Sequence, residues 1–238
     1  MKFSKEDIEY LNGNKFSNGR KFKVAGKNNV NFSRLDFLES YAKDKNVLHI
    51  GFTDHIPLIK EKIGKNQWLH TRLVQKAKNC YGIDIDADAV EYVKSEISID
   101  NVFCFDITKD NIPTEISDKK WDVIIIGEVL EHIDNPVEFL SQIHLKFSKI
   151  AGELIVTVPN ALELINIKLI RKGQEFINTD HRYWFTPYTL SKVLFNSGFL
   201  SKEVFYSQTF QPSRFYERYL VNKFPMLRET VISISTFR

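Results

Sequence analysis

Short runs rich in Val, Ile, Leu and Phe, at 47–50, 81–85, 102–105, 123–126 and 154–158, alternate with longer stretches in which apolar residues recur at helical spacing. Strands separated by helices pair in parallel, each crossover helix covering one face of the sheet. Ala89, Val90, Val93 and Ile97 mark one such helix face, and Val137, Leu140, Ile143 and Leu145 mark another. Their ends carry capping signals. Asn135, Pro136 and Glu138 fit N-cap, N1 and N3, with proline at the helical position where its missing N–H costs nothing. Thr186-Pro187 repeats the pattern ahead of Leu190, Val193 and Leu194, and Gly198 follows where a left-handed terminator is wanted. The fold class this predicts is α/β, a doubly wound and mostly parallel sheet. Residues 1–45 are expected to form an N-terminal helical cap, in which Ser33 opens a helix burying Leu35, Phe37, Leu38 and Tyr41; residues 46–238 are expected to form the sheet domain.

The chain has 238 residues, 43% of them hydrophobic, enough for one sizeable core. Its longest aliphatic run, 123–126, is far shorter than the roughly 20 apolar residues a membrane helix needs, and the first residues lack a signal peptide's apolar segment. No membrane insertion and a cytoplasmic location are therefore expected. Cys80 and Cys104 are too few for a disulfide framework and too far apart for a metal knuckle, and both are expected as buried thiols. A net charge of +3 is too mild to indicate nucleic acid. Arg20, Lys21, Lys23, Lys27 and Arg34 occur with no acid between them, which fits either a solvated basic loop or a surface facing an anionic substrate.

In an open parallel sheet the ligand lies beyond the carboxyl ends of the strands, where strand order reverses, so the residues after each run carry the functional signal. The first run leads into His49-Ile50-Gly51-Phe52-Thr53-Asp54-His55. The second ends at Asp84, placed to accept hydrogen bonds from a ribose diol. The third ends at Asp106, which can accept from an adenine amino group while Ile85 and Ile107 sandwich the base. The fourth runs into Gly127-Glu128-Val129-Leu130-Glu131-His132, and the fifth ends in Thr157-Val158-Pro159-Asn160. These blocks, in this order across residues 45–200, resemble class I S-adenosylmethionine-dependent methyltransferases. A Gly-x-Gly-x-x-Gly dinucleotide fingerprint is missing from the first loop. The resemblance implies a Rossmann-like, seven-stranded sheet closed by two antiparallel edge strands, here the runs 204–210 and 231–237. It also implies a cofactor site at His49, Gly51, Thr53, Asp54, His70, Asp84, Ile85, Asp106, Ile107 and Gly127. The first loop departs from the family pattern: His49 stands for the usual acid, Thr53 and His55 for two glycines, and an added segment containing Gln67-Trp68-Leu69-His70 follows. Either Thr53, Asp54 and His70 hold the methionine end by a variant route, or the loop no longer binds cofactor.

Glu128, Glu131 and His132 stand at i, i+3 and i+4, which in one helical turn places them on one face beside the reaction centre. The spacing resembles the Glu-x-x-Glu-His block of metal-dependent O-methyltransferases acting on vicinal hydroxyls, among them small-RNA ribose 2′-O-methyltransferases. That resemblance implies a divalent ion (Mg, Mn or Fe) on Glu128, Glu131 and His132, completed by His181 of the block Asp180-His181-Arg182-Tyr183-Trp184-Phe185-Thr186-Pro187. The alternatives are a metal-free base, with Glu128, His132 and His181 as the catalytic groups, or a purely structural role. Tyr183, Trp184 and Phe185 fit a sugar-binding wall or core packing. The Asp180–Pro187 block resembles bacterial methyltransferases of surface sugars and natural products, which implies a saccharide or other small-molecule acceptor. The competing expectations are RNA 3′-terminal ribose methylation and a catalytically silent binding module of the same fold.

Overall fold

The computed structural model describes residues 2–23 and 31–238; Lys27 of the basic stretch lies outside them. The strands are β1 (Asn46–Ile50), β2 (Asn79–Asp84), β3 (Val102–Cys104), β4 (Trp121–Gly127), β5 (Ala151–Pro159), β6 (Phe199–Ser207) and β7 (Thr230–Phe237). The α-helices are α1 (Lys5–Leu11), α2 (Arg34–Ala42), α3 (Ile56–Gly64), α4 (Leu69–Lys76), α5 (Ala87–Ile97), α6 (Thr114–Ser117), α7 (Pro136–Phe147), α8 (Leu164–Ile170), α9 (Pro187–Asn196) and α10 (Phe215–Lys223).

The seven strands form one sheet in the order β3-β2-β1-β4-β5-β7-β6. Strands β1 to β5 are mutually parallel, and β7 runs antiparallel to both β5 and β6. The order reverses between β1 and β4, which opens a crevice at their carboxyl ends.

Both faces of the central strands are covered, so their sequences read as continuous apolar runs. Along β4, Val123 and Ile125 face Leu35 and Leu38 of α2 and Leu69 and Leu73 of α4. Ile124 and Ile126 face the opposite core, where Leu140 and Ile143 of α7 pack with Leu190 and Leu194 of α9. The alternation follows from the two-residue period of a strand.

Capping residues act where the sequence places them. The Asn135 Oδ1 accepts from the Glu138 N–H at 3.2 Å, and Thr186 and Thr189 form a reciprocal box at the start of α9. Gly198 takes φ +90 after α9. Helix α1 lies against α9, where the Lys192 ammonium donates to the Tyr10 and Leu11 carbonyls. Inside the C-terminal hairpin, the buried Arg228 guanidinium donates to the Val221 and Tyr206 carbonyls, tying α10 to β6.

Four expectations change. Leu145 is exposed, and Phe147 fills the core in its place, because the helix face turns by its 3.6-residue period. Cys104 is exposed, since β3 is an edge strand and its last residue has no covering helix; Cys80 is buried. Strand β6 begins at Phe199 and ends at Ser207, earlier than the run 204–210, as Gln208 bends away to donate to the Phe210 carbonyl and to Glu229. Among the described residues of the basic stretch, Arg20 pairs with Glu6 and Asp7 of α1, and Arg34 turns inward.

Candidate active site

The crevice at the strand tips is a cleft of about 1180 Å³ whose lining includes Gly51, Asp84, Asp106, Gly127 and the 128–135 segment. Gly51 takes φ +69, and a Cβ there would come within 2.3 Å of the Val129 side chain, so only glycine fits. The loop after it is tied down by Thr53. Its N–H and hydroxyl donate to the Asp84 Oδ2 at 3.0 and 2.7 Å, while the Ile85 and Asp86 N–H groups donate to Oδ1 at 2.8 and 3.2 Å. The threonine that replaces a glycine thus couples the first loop to the second strand's carboxylate.

Asp106 sits on the same rim, its carboxylate accepting from the Thr108 N–H and hydroxyl and pairing with Lys109 at 2.9 Å. Those partners hold its pKa down at about 2. Ile85 stands exposed at the lip and Ile107 is buried in the wall below, both lining the cleft. Asp54 also lines it and is ion-paired with Lys62 of α3.

At the floor, the His49 Nδ1 lies 3.2 Å from the His70 Nδ1. Burial pushes both imidazoles well below their ordinary pKa, so both are neutral. The His70 Nε2 is buried with no partner. An unpaired lone pair is more readily tolerated than an unpaired N–H, so His70 carries its proton on Nδ1 and donates to His49. This leaves the His49 Nε2–H directed toward Gly127, beside Arg34. His70 itself does not line the cleft, contrary to the sequence expectation: α4 turns it inward between Phe52 and Gly82, and it acts on the site through His49.

Beyond β4 the chain departs from the expected helical turn. Glu128 takes φ +59, a left-handed conformation costing a non-glycine residue about 1–2 kcal/mol. It is held there because its N–H donates to the Thr157 carbonyl and its Oε1 accepts from the Thr157 hydroxyl, each at 3.0 Å. The Arg34 Nε lies 3.9 Å from the same Oε1. A short 3₁₀ turn, Leu130–His132, then aims Glu131 and His132 elsewhere. The ligand atoms of Glu131, His132 and His181 lie within 4.8 Å of one another; Glu128 stands outside that trio, correcting the four-residue set.

The trio is chemically unusual. Glu131 is fully buried, and neither of its carboxylate oxygens has a hydrogen-bond partner. Burial, and secondarily the Glu128 charge, push its pKa up to about 9. The His181 Nε2 lies 3.9 Å from the Glu131 Oε1, and its buried Nδ1 also lacks a partner. His132 and His181 stack edge to face with centroids 4.6 Å apart, and burial lowers both pKa values. The Arg182 N–H donates to the Glu131 carbonyl at 2.8 Å, fixing the 178–182 loop on the turn.

A family model described as a methyltransferase domain matches residues 34–200. The chain belongs to that methyltransferase family. Its sheet order and helical layers are those of class I S-adenosylmethionine-dependent methyltransferases, as three solved structures illustrate. Magnesium protoporphyrin IX methyltransferase from Synechocystis, solved with bound SAH, is 17% identical, covering 86% of this chain and 82% of its own, with a TM-score of 0.51. A SAM-dependent methyltransferase from Aquifex aeolicus is 16% identical over 87% and 90%, with a TM-score of 0.52. The small RNA methyltransferase HEN1 is 16% identical over 93% of this chain and 27% of its own, with a TM-score of 0.55. Comparison with curated protein sequences finds no match. No helix among the described residues is long and apolar enough to cross a membrane.

Two residues that shape this methyltransferase's site carry roles the sequence does not show: Arg34 lines the cleft and Thr157 is buried behind it. Arg34 was counted with the basic stretch, yet as the first residue of α2 it stands where the helix dipole disfavours a cation, a signal that another partner holds it. Thr157, in the block that ends the fifth strand, has no role assigned from sequence; its hydroxyl donates to the Glu128 carboxylate. Tyr183, Trp184 and Phe185 divide: Phe185 is buried in the core, Trp184 is half-buried and Tyr183 is exposed.

Proposed function

We propose that this methyltransferase transfers a methyl group from S-adenosylmethionine to a hydroxyl oxygen of a saccharide or other small polyol. The observation that carries the reading is the Glu131–His132–His181 trio, whose unpartnered buried oxygens and imidazole nitrogen face the same cleft as Asp84. S-adenosylmethionine supplies an electrophilic methyl group, so catalysis needs mainly an oriented and deprotonated acceptor oxygen.

Asp84 receives the ribose diol; because its carboxylate already accepts four protein donors, the diol takes the place of the Thr53 hydroxyl, the most readily turned of them. Asp106, with Ile85 and Ile107, borders the adenine. The His49 Nε2–H and the Arg34 guanidinium, both beside Gly127, offer donors to the methionine carboxylate, which suits a floor that has lost the family's acid. The required glycine at 51 argues against a decayed, silent site.

The donor set of one carboxylate and two imidazoles fits Mg, Mn or Fe, and the lack of protein partners on Glu131 and His181 suits an ion there. Such a cation, when bound, supplies Lewis acidity that lowers the pKa of the acceptor hydroxyl. Glu131, His132 and His181 hold and orient it; Glu128 positions the turn through Thr157 and Arg34. The saccharide preference rests on the resemblance of the Asp180–Pro187 block to sugar-modifying enzymes. RNA is less favoured because Arg20 is occupied by Glu6 and Asp7.

Methyl transfer to a panel of sugars and polyols, measured after chelation and again with Mg, Mn or Fe restored, tests the reading. Loss in chelator and recovery with one ion are expected, and His181→Ala should lower the rate at least a hundredfold. Full activity in chelator would instead assign the two neutral histidines as a metal-free base. Salt-sensitive methylation of RNA ends, with no turnover of any polyol, would overturn the acceptor class.

A further inference from the structure

Two segments lie outside the transfer chemistry, 164–177 and 208–228. Both leave the sheet at one edge: β7 begins at Thr230, which pairs with Pro159 at the end of β5 and with Ser207 at the end of β6. That edge is the one holding the cleft. Helices α8 and α10 lie side by side there, joined by the Lys168–Glu217 ion pair over a crevice of about 200 Å³.

The outer surface of this pair is apolar. Phe215 is 84% exposed and Ile170 70%, and Phe176, Phe210, Tyr219 and Phe224 are exposed on the same two segments. Side chains of this size scattered singly would need no account, but their concentration on two joined helices and the segments flanking them marks a contact surface. Its charge is one-sided. Arg171, Lys172, Arg214, Arg218 and Lys223 are exposed on the same two segments, whose acidic residues are only Glu175, exposed, and Glu217, buried against Lys168. Aromatic and aliphatic side chains interleaved with cations match the boundary of an anionic bilayer, where rings enter the headgroup layer and lysine and arginine reach the phosphates. A soluble acidic partner would satisfy the cations and leave the phenylalanines wet.

We propose that the α8–α10 face seats this protein peripherally on an anionic lipid surface. The 161–185 connection continues from that face to Asn178 and His181 in the cleft wall, so the seated molecule holds its cleft near the headgroup layer. The consequence, an acceptor whose hydroxyl-bearing head is carried by a lipid, rests on the methyl-transfer reading; the lipid contact does not.

Sedimentation with phosphatidylcholine vesicles, with and without phosphatidylglycerol, tests the proposal. The protein is expected to sediment with the anionic vesicles, less at high salt, and hardly with the neutral ones. Each basic residue near such a surface contributes about fivefold in partition. Lys172→Glu with Lys223→Glu should weaken binding at least tenfold, and Ile170→Ser with Phe215→Ser by a similar factor. Calorimetry with S-adenosylhomocysteine should give wild-type affinity in both double variants, which establishes folding and keeps failure of the cofactor reading separate. Absence of the wild-type protein from anionic vesicle pellets, recovery of both variants equal to that of the wild type, or a concentration-dependent dimer abolished by the same substitutions would each overturn the lipid assignment.

Discussion

Glu131 is the residue whose environment departs furthest from its chemistry. A buried carboxyl group without protein hydrogen bonds holds its proton, and the unfolded chain, with the ordinary value of 4.5, releases it. The folded value lies above the unfolded one, so the unfolded state binds fewer protons between them. This group's contribution therefore turns against the fold as pH rises from about 4.5 toward about 9. In chelator-treated protein, Glu131→Gln should consequently raise stability at pH 8 by at least about 1 kcal/mol relative to its effect at pH 5. Thermal unfolding at the two pH values measures it; an equal effect at both would show that Glu131 is ionised in the fold. The same substitution should abolish stabilisation by added Mn. Gly51 gives the complementary case, where conformation and not charge decides. A methyl group at φ +69 and 2.3 Å from Val129 displaces the turn, so Gly51→Ala should weaken S-adenosylhomocysteine binding at least tenfold by calorimetry.

At the scale of elements, capping chemistry separates stability from the site. The Thr186 hydroxyl accepts from the Thr189 N–H at the start of α9, and neither residue lines the cleft. Thr186→Ala should cost about 1 kcal/mol and lower the melting temperature by about 2–4 °C while cofactor-product affinity stays unchanged. A drop in affinity with no change in melting would contradict this division. Elements of this kind were legible in the sequence because their signals are local: N-caps at Asn135 and Thr186, and apolar runs at 47–50, 123–126 and 154–158. What was not legible depends on tertiary contacts. The helical turn expected at 128–132 assumed right-handed backbone from Glu128 onward; the left-handed step is imposed by Thr157 on the neighbouring strand, which no spacing along the chain reveals. His70 was read as a ligand because it follows the altered first loop, and only the packing of α4 against Phe52 and Gly82 shows it facing inward. Asp84 and Asp106 could be placed at the cleft because a strand's end fixes where its next residue goes.

For the whole molecule, the cleft has two walls drawn from distant parts of the chain. One is the stretch from Thr53 through α3 to Trp68, and the other is the 178–182 loop; the His55 Nε2 and Asp180 Oδ2, both exposed, face each other across them at 4.0 Å. Neither wall belongs to the sheet, whose central strands are buried on both faces and exchange only on global opening. A ligand held between Asp84, the first loop and the trio loses contacts whenever either wall opens locally, so its binding free energy must appear as protection there. S-adenosylhomocysteine is therefore expected to slow amide hydrogen exchange at least tenfold in 53–68. Exchange in 178–182 should respond further when Mn is added, because Arg182 ties that loop to Glu131. Strands β5 and β7 should slow by no more than the same factor, because global opening also releases the ligand. Uniform slowing across the sheet with none in the walls would mean that the ligand acts through global stability alone, and the two-walled cleft would not be its seat.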